Sequence, residues 1–297
     1  MSKEFRNVAV LGRPEDPRVA EPMRVLLAHL TKAGCTVLVE ADLDTDLPVR
    51  RLAGDELGAA ADLIVSIGGD GAMLSAGKLA ARHGVPLLGI NRGRLGFLAD
   101  VSPEEMLDSL DHVLAGDYGS DSRLLLTARL VSPDGSVRTA VAFNDVVLQR
   151  RESGRMVDVV ASVAGKYVNT HSGDGLIVAT PTGSTAYALS CGGPIIEPHL
   201  DAVVIVPICP HTLTDRPVVI AAGQTIEIRV LERKDTKAEV TVDGTTVDEI
   251  RPEDRLIVDA ADTRIRLVHP PGHDFFGILR NKLFWGRDSR IRDITGE

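Results

Sequence analysis

A glycine-rich turn that carries one carboxylate, Gly68-Gly69-Asp70-Gly71, is the clearest candidate for chemistry in this chain. It follows the apolar run of residues 61–67, which predicts a buried strand that ends in a tight turn. Glycine lets backbone N–H groups approach a phosphate closely, and a helix that starts after the turn favours anions. A carboxylate in this setting suits a proton acceptor or a magnesium ligand. The alternative is an ordinary strand-to-helix turn whose aspartate caps the helix.

A second group of polar residues, Thr180-Pro181-Thr182-Gly183-Ser184-Thr185-Ala186-Tyr187, is followed by Ser190. It predicts a turn that leads into a helix over residues 184–189. Hydroxyl and N–H groups at a helix start are neutral donors that suit a phosphate or a ribose. The same residue types also cap helices that bind nothing, so this alternative stays open.

Two further polar groups interrupt apolar runs. In Ser172-Gly173-Asp174-Gly175 the carboxylate could accept hydrogen bonds from a sugar or a carboxamide, or it could simply form a turn. Asn144-Asp145 is predicted inside an apolar strand, where unpaired polar groups cost free energy. An asparagine offers a donor and an acceptor that suit an adenine edge, and a carboxylate suits a ribose diol. A β-bulge or an edge position is the alternative explanation for this pair.

A proline-rich connection over residues 206–217 contains His211 and Arg216, two possible phosphate ligands. A lone histidine in a turn is more often structural, so His211 is left out of the catalytic set. The sequence contains no plausible Ser-His-Asp set, no histidine-rich metal spacing, no P-loop and no Gly-x-Gly-x-x-Gly fingerprint. Its three cysteines are far apart and imply neither disulfides nor a zinc site.

Two kinds of structure must position these groups. Over the first hundred residues strand and helix signals alternate, which predicts a Rossmann-like parallel sheet with right-handed crossovers. Ligands of such sheets bind beyond the carboxyl ends of the strands. The turn at 68–71 and the glycine-rich loop at 91–97 should therefore face one crevice. After residue 124, short β runs separated by turn signals, the last over 265–268, predict an antiparallel β-rich domain.

The expected organisation is therefore an α/β domain followed by a β-rich domain. We place the α/β domain at residues 1–118 and the β-rich domain at 119–274, with Gly116-Asp117-Tyr118-Gly119-Ser120 as the candidate linker. The apolar C-terminal segment, 275–297, is expected to pack back toward the first domain.

The amino-acid composition argues against two kinds of binding partner, nucleic acids and anionic membranes. Of the 297 residues 44% are hydrophobic and 25% are charged, as in globular proteins, and the net charge of −9 disfavours non-specific binding of nucleic acid or of an anionic membrane. Aromatic residues make up only 3%, which argues against a base-stacking platform. No signal-peptide core and no stretch of transmembrane length is present, so a cytoplasmic location is expected.

Taken in order, the motifs at 68–71, 144–145, 173–175, 180–187 and 207–213 resemble those of the ATP/polyphosphate-dependent NAD kinase family, in its bacterial, actinobacterial-like form. The first motif is shared with lipid kinases, whereas the threonine-rich and Pro-Ile-Cys-Pro-His motifs are more specific. The resemblance implies a fold of the NAD kinase/diacylglycerol kinase type with NAD bound between the two domains. It implies transfer of a phosphoryl group from ATP, or from polyphosphate, to the 2′-hydroxyl of the adenosine ribose, with Mg²⁺ or another divalent ion. Homodimers or homotetramers are expected.

The resemblance also assigns individual residues. Asp70 matches the family's proton acceptor, and Gly68 and Gly69 belong to the phosphate-donor loop. Asn144 and Asp174 match NAD contacts. Asp145 stands where many members have the longer glutamate, so its ribose contact needs a small shift or a water molecule. The other positions assigned to the NAD site are Gly71, Phe97, Arg155, Ser172, Thr185, Ala186, Tyr187 and Ser190.

Two other functions were weighed against NAD phosphorylation. A lipid kinase of the diacylglycerol or sphingosine type would share the first turn and expose an apolar entry for an acyl chain. A non-catalytic NADP-binding sensor would keep Asn144 and Tyr187 without turnover. An assay of NADP formation from NAD, ATP and Mg²⁺ separates the three.

Overall fold

The computed structural model describes residues 4–92, 96–99, 101–151, 156–232 and 237–285. The first elements, in chain order, are β1 (Asn7–Gly12), α1 (Pro17–Lys32), β2 (Thr36–Glu40), β3 (Arg50–Leu52), α2 (Gly54–Ala60), β4 (Leu63–Gly68), α3 (Asp70–His83), β5 (Leu87–Asn91), α4 (Met106–Ala115) and β6 (Gly119–Arg123). They are followed by β7 (Leu126–Val131), β8 (Val137–Ala142), β9 (Asp145–Arg150), β10 (Val157–Val163), β11 (Lys166–Gly173), β12 (Gly175–Ala179), a 3₁₀ turn (Gly183–Thr185) and α5 (Tyr187–Ser190). The last are β13 (Ala202–Ile208), β14 (Val218–Ala221), β15 (Ile226–Val230), β16 (Ala238–Val242), β17 (Thr245–Ile250), β18 (Arg255–Ala260), β19 (Ile265–His269) and α6 (Phe275–Leu283).

The chain divides into two compact units, Met1–Asp121 with Arg266–Glu297, and Ser122–Ile265. The boundaries drawn from the sequence, at 118/119 and 274/275, differ from these because β6 and β19 both belong to the sheet of the first unit. The proposed linker is also occupied by regular structure: Gly116, at φ +86°, ends α4, and β6 begins at Gly119.

The first unit is built on a sheet with the strand order β3-β2-β1-β4-β5-β19-β6. The neighbours from β3 to β19 run parallel. Every residue of β4 and β5 is buried, as expected for central strands covered on both faces. Helix α1 packs its apolar stripe on this sheet; Pro17 stands in its first turn, and Asp16 caps it by accepting the N–H of Arg18 at 3.0 Å. The predicted parallel α/β unit is confirmed.

The second unit is a pair of antiparallel six-stranded sheets, with the orders β11-β10-β15-β18-β7-β8 and β14-β13-β12-β9-β16-β17. Apolar side chains from both sheets, such as Val159, Ile228, Leu148 and Val178, form one core. Strand β12 is buried on both faces because its alternate residues enter a second apolar cluster with Ala188 of α5. The prediction that 265–268 belongs to this β-rich part is wrong: β19 pairs in parallel with β5, with Leu267 opposite Leu87.

Candidate active site

The turn Gly68–Gly71 lies where the sequence placed it, at the carboxyl end of a central parallel strand. Gly69 is the N-cap of α3, and Asp70 and Gly71 form the first turn of that helix. A β-carbon on Gly68 would come within 2.5 Å of the Ala72 side chain, so the close approach of helix and strand requires glycine there. Gly71 has no atom within 4 Å of the corresponding position, so packing does not explain this glycine. It leaves the backbone open beside Asp70.

The Asp70 carboxylate is held at the helix N-terminus by the loop that follows β5. The N–H of Leu98 lies 3.4 Å from its Oδ1, and the helix dipole adds a favourable field for the negative charge. A β-carbon on Gly96 would lie 2.2 Å from the same oxygen, so a larger residue at position 96 would displace the Asp70 carboxylate from this position. The predicted meeting of the two loops is observed at Asp70. Phe97, in the same segment, is half-buried, and Lys282 Nζ lies 5.5 Å from its ring centroid.

A cavity of about 330 Å³ opens beside the same turn, among residues of β1, β4, α2 and α3. Arg13, Glu40 and Arg82 contribute charged side chains to its lining. The hydroxyl of Ser66 also lies there, fully buried, and among the described residues it is the one buried side-chain polar atom without a hydrogen bond. A buried hydroxyl is costly when it is unpaired, so this cavity suits a polar ligand. This cavity could not be predicted from the sequence, because Ser66 stands in an apolar run.

In the second unit Asn144 and Asp145 lie at a junction between strands, not inside one as predicted. Strand β8 ends at Ala142 and β9 begins at Asp145. The carboxylate of Asp243 holds this junction by accepting the backbone N–H groups of Phe143, Asn144 and Asp145 at 3.0, 2.8 and 3.2 Å. In return the Asp243 N–H donates to the Asp145 carbonyl at 3.0 Å. The polar pair is therefore fixed by a residue about a hundred positions away.

Asp243 can do this because it occupies a tight hairpin turn. Asp243 and Gly244 have φ values of +48° and +76°, the conformation that Asp-Gly turns favour between antiparallel strands. In the sequence, Asp243-Gly244 is one of the turn signals that separate the β runs after residue 124. Its spacing between two β runs indicated the hairpin, but nothing local indicated that the carboxylate would bind the 143–145 backbone.

Asp145 has an unusual electrostatic environment. Its side chain is 5% exposed, and burial, together with the charge of nearby Asp243, raises the pKa of Asp145 to about 6. Burial is the larger of the two causes. The carboxyl group therefore changes its charge within the range where many enzymes work, which is a frequent property of ligand-binding sites.

The turn Thr180–Gly183 is packed directly on Asn144. The Thr180 N–H donates to the Asn144 carbonyl at 2.9 Å, and its hydroxyl donates to the Phe143 carbonyl at 2.7 Å. A β-carbon on Gly183 would lie 2.0 Å from the Asn144 carbonyl oxygen, so only glycine fits. The Ser184 hydroxyl is also used internally, donating at 2.5 Å to a carbonyl of this turn. Thr180 and Ser184 therefore hold the backbone, as the alternative interpretation of this motif described.

The residues that follow this turn present an aromatic ring to solvent. The prediction of a continuous helix over 184–189 is wrong in detail. The 3₁₀ turn ends at Thr185, and Ala186, which is not helical, separates it from the single turn of α5. Tyr187 is 41% exposed and Ser190 is also exposed. Partial burial raises the pKa of the Tyr187 phenol, which therefore stays protonated at neutral pH. The Thr185 hydroxyl donates to the Thr182 carbonyl at 3.0 Å.

Asp174 and Tyr187 line one cavity of about 310 Å³ together with Arg150 and Cys209. The Asp174 carboxylate is half-buried and forms an ion pair with Arg150, at 2.6 Å from Nε. Ser172 is not part of this lining; its hydroxyl donates to the buried Asp158 at 2.5 Å. The predicted site residue Arg155 lies outside the described residues.

The proline-rich connection is fixed by a buried pair that the sequence analysis missed. His171 of β11 and Asp215 of the connection are 7% and 3% exposed, and His171 Nδ1 lies 3.0 Å from Asp215 Oδ2. The Asn169 amide donates to the same carboxylate at 2.7 Å. Arg216, considered above as a phosphate ligand, instead donates to the carbonyls of Leu213 and Asp215 at 2.6 and 2.7 Å. The connection is thereby held on β11.

Comparison with known proteins gives one consistent family. The model of the ATP-NAD kinase N-terminal domain matches residues 8–118, and that of the C-terminal domain matches residues 143–270. A relative from Halorhodospira halophila named NAD kinase is 43% identical over 289 residues, 95% of this chain and 94% of its own length. An NAD kinase from Methylococcus capsulatus is 40% identical over 287 residues, 96% of this chain and 99% of its own length.

Two solved structures have the same fold. An NAD kinase from Archaeoglobus fulgidus in complex with ATP is 27% identical, with a TM-score of 0.73 over 92% of this chain and 98% of that one. Yeast NADH kinase complexed with NADH is 24% identical, with a TM-score of 0.88 over 97% of this chain and 90% of that one. The predicted fold class is confirmed. Within the part of the chain that is described, no helix has the length and apolar character needed to cross a membrane.

Proposed function

Because the chain belongs to the ATP-NAD kinase family, we propose that Asp70 is the proton acceptor of its reaction and that the polar surface around Asn144 holds the dinucleotide. The enzyme phosphorylates NAD to NADP, with ATP as the phosphoryl donor. A lipid kinase is not favoured, since the matching models cover both units and the relatives are NAD kinases. The observation that carries the proposal is the single carboxylate at the N-terminus of α3, held beside an open glycine backbone.

In the proposed step the ribose 2′-oxygen forms a bond to the γ-phosphorus as the bond between that phosphorus and the β,γ-bridging oxygen breaks. The 2′-hydroxyl proton passes to a carboxylate oxygen of Asp70. A sugar hydroxyl is too weak an acid to ionise beforehand, so proton transfer accompanies bond formation. Alignment and charge stabilisation do most of the remaining work in phosphoryl transfer. The Leu98 N–H and the helix dipole hold the Asp70 carboxylate in position for this task.

The first turn of α3 supplies the phosphate contacts. Gly71 leaves its backbone open, the Arg92 guanidinium lies 3.7–3.9 Å from the β-carbon position of Gly69, and the N–H groups that begin a helix have no partner within it. We expect the γ-phosphate to bind there and the nucleoside end of the donor to occupy the cavity that contains Ser66. A divalent ion such as Mg²⁺ fits this arrangement when the phosphates supply most of its oxygen ligands, and it would neutralise their charge.

Recognition of NAD is assigned to the second unit. The Asn144 side chain offers both a donor and an acceptor to the adenine edge, and Asp145 accepts a ribose hydroxyl directly or through water. Asp174 and Tyr187, which share a cavity, are assigned to the nicotinamide side. The geometry supports these roles because Asp243 and the Thr180 turn fix the backbone of Asn144 and Asp145. Thr185, Ala186 and Ser190, which lie close to Tyr187 in the sequence, are assigned to the same NAD-binding surface.

The test is the variant Asp70→Asn, which keeps the shape of the side chain and removes its basicity. We expect turnover to fall by about 10²–10⁴, the usual effect of a general base, while the dissociation constant for NAD changes little. NADP formation is followed in a coupled assay, and NAD binding is measured by calorimetry. Asp108→Asn, in the first turn of α4, is the matched control and should retain full activity. Near-normal turnover of Asp70→Asn would exclude this carboxylate as the base.

The remaining proposals concern the donor and the assembly. We propose that inorganic polyphosphate can replace ATP, that the chain forms a homodimer or homotetramer, and that it works in the cytoplasm. Donor replacement is tested by NADP formation with polyphosphate alone, and assembly by light scattering of the purified chain. Absence of NADP in the first test, or a monomer in the second, would contradict the respective proposal.

A further inference from the structure

Outside the kinase site, three potential metal ligands meet in the first unit. Asp121 lies on β6, His269 is the last residue of β19, and His273 lies in the connection to α6. Their nearest ligand atoms all fall within 4.8 Å of one another. Asp121 is 8% exposed and His269 is 6% exposed. No metal-ligand spacing marks these residues in the sequence, because Asp121 and His269 are 148 residues apart and meet only through the pairing of neighbouring strands.

We propose that Asp121, His269 and His273 form a binding site for a divalent transition metal of the zinc class. His269 Nε2 lies 3.1 Å from Asp121 Oδ2. Ligand atoms about 2.0–2.1 Å from a tetrahedral zinc ion lie about 3.3 Å from each other, so this pair already has nearly the required separation. Two imidazoles and a carboxylate are a donor set that suits zinc and its neighbours, whereas Mg²⁺ prefers oxygen ligands. The site therefore differs in chemistry from the ion that accompanies ATP.

The second imidazole is placed by packing. The rings of His269 and His273 are stacked, with centroids 3.7 Å apart and planes 20° from parallel. A metal binds histidine through one nitrogen of the neutral imidazole ring. The ligand atom of His273 lies within 4.8 Å of those of Asp121 and His269, and the His273 ring would turn out of this stack to point a nitrogen at a common ion.

A cavity of about 430 Å³ adjoins this cluster and includes His273, Glu105 and Asp274 in its lining. It provides a polar path for a hydrated ion and room for a water molecule, or for the Glu105 carboxylate, as a fourth ligand. A bound ion would join β6, β19 and the segment that leads into α6. We therefore assign it a structural role, the fixing of the C-terminal helix onto the first unit.

The test is direct binding of Zn²⁺ to the full chain, first stripped with a chelator and kept free of nucleotide. We expect one ion per chain by calorimetry, and an affinity at least 10–100-fold weaker in His273→Ala and in Asp121→Asn. His199→Ala is the matched control, because His199 pairs with Glu197 on the surface of the other unit, and it should bind normally. Circular dichroism establishes that each variant is folded.

Cobalt and thermal unfolding provide independent readouts. Co²⁺ should give the visible absorption of a site with nitrogen and oxygen ligands, without the charge-transfer band of a thiolate. Saturating Zn²⁺ should raise the unfolding midpoint by at least about 2 °C in the wild type and not in His273→Ala. Unchanged affinity in both cluster variants, a thiolate band, or no Zn²⁺ binding would overturn the proposal. None of these readouts depends on kinase activity, so the assigned reaction would stand in either case.

Discussion

The buried carboxyl group of Asp145 allows a quantitative prediction about pH and stability. Its pKa rises from 3.8 to about 6 in the folded chain, roughly two units, which corresponds to ~3 kcal/mol at about 1.36 kcal/mol per unit. The folded state therefore holds this proton more tightly than the unfolded state does. Between these two pH values the folded chain carries the extra proton, so the free energy of unfolding falls as the pH rises and stays lower above about pH 6.

The perturbation is Asp145→Asn, which keeps the shape and removes the charge. The variant lacks this titration, so we expect the wild type to lose ~3 kcal/mol relative to it between about pH 3.5 and about pH 7. Urea denaturation of both proteins at a series of pH values, without NAD, measures the difference and cancels the other carboxyl groups. Asp262→Asn, at an exposed position, is the control and should follow the wild type. Parallel curves for the wild type and Asp145→Asn would refute the reasoning.

Two further predictions concern the supports of the proposed site. Gly183→Ala should destabilise the chain by about 1–3 kcal/mol and weaken NAD binding, because a β-carbon 2.0 Å from the Asn144 carbonyl oxygen forces the backbone apart. Urea denaturation measures the stability and calorimetry measures the binding of NAD. Gly223→Ala is the control and should be neutral in both experiments, because nothing lies within 4 Å of its β-carbon position. Asp215→Ala should cost about 1–3 kcal/mol by leaving buried His171 without this acceptor, and an unchanged denaturation midpoint would show that the pair contributes nothing.

Local sequence signals were sufficient for much of the first unit. The apolar run that ends in glycines defined β4 and the start of α3, because strand burial and turn chemistry act on neighbouring residues. The placement of 265–268 failed because a four-residue β run does not indicate which strand it pairs with, and parallel pairing with β5 is determined only by the complete fold. The sequence therefore indicated that a strand was present, but not which strand it would pair with.

In the candidate site, too, local residues could be predicted from the sequence, whereas their distant contacts could not. Asp70, Asn144 and the threonine-rich turn were predicted as site residues because they are polar residues that follow or interrupt apolar runs. The residues that hold them did not stand out: Asp243 looked like any Asp-Gly turn, and Ser66 like any small residue in a strand. Their roles depend on contacts across many positions in the chain, such as the bonds from Asp243 to the Asn144 backbone.

The return of the chain to the first unit at Arg266 has a consequence for biosynthesis. While Ser122–Ile265 is being translated, the N-terminal segment lacks β19, and Leu87 and Leu88 of β5 present an unpaired apolar edge. At the usual 5–20 residues per second this interval lasts roughly 7–30 s. The nascent polypeptide is then most exposed to misassociation, and a stop codon before residue 265 would leave it in that condition permanently.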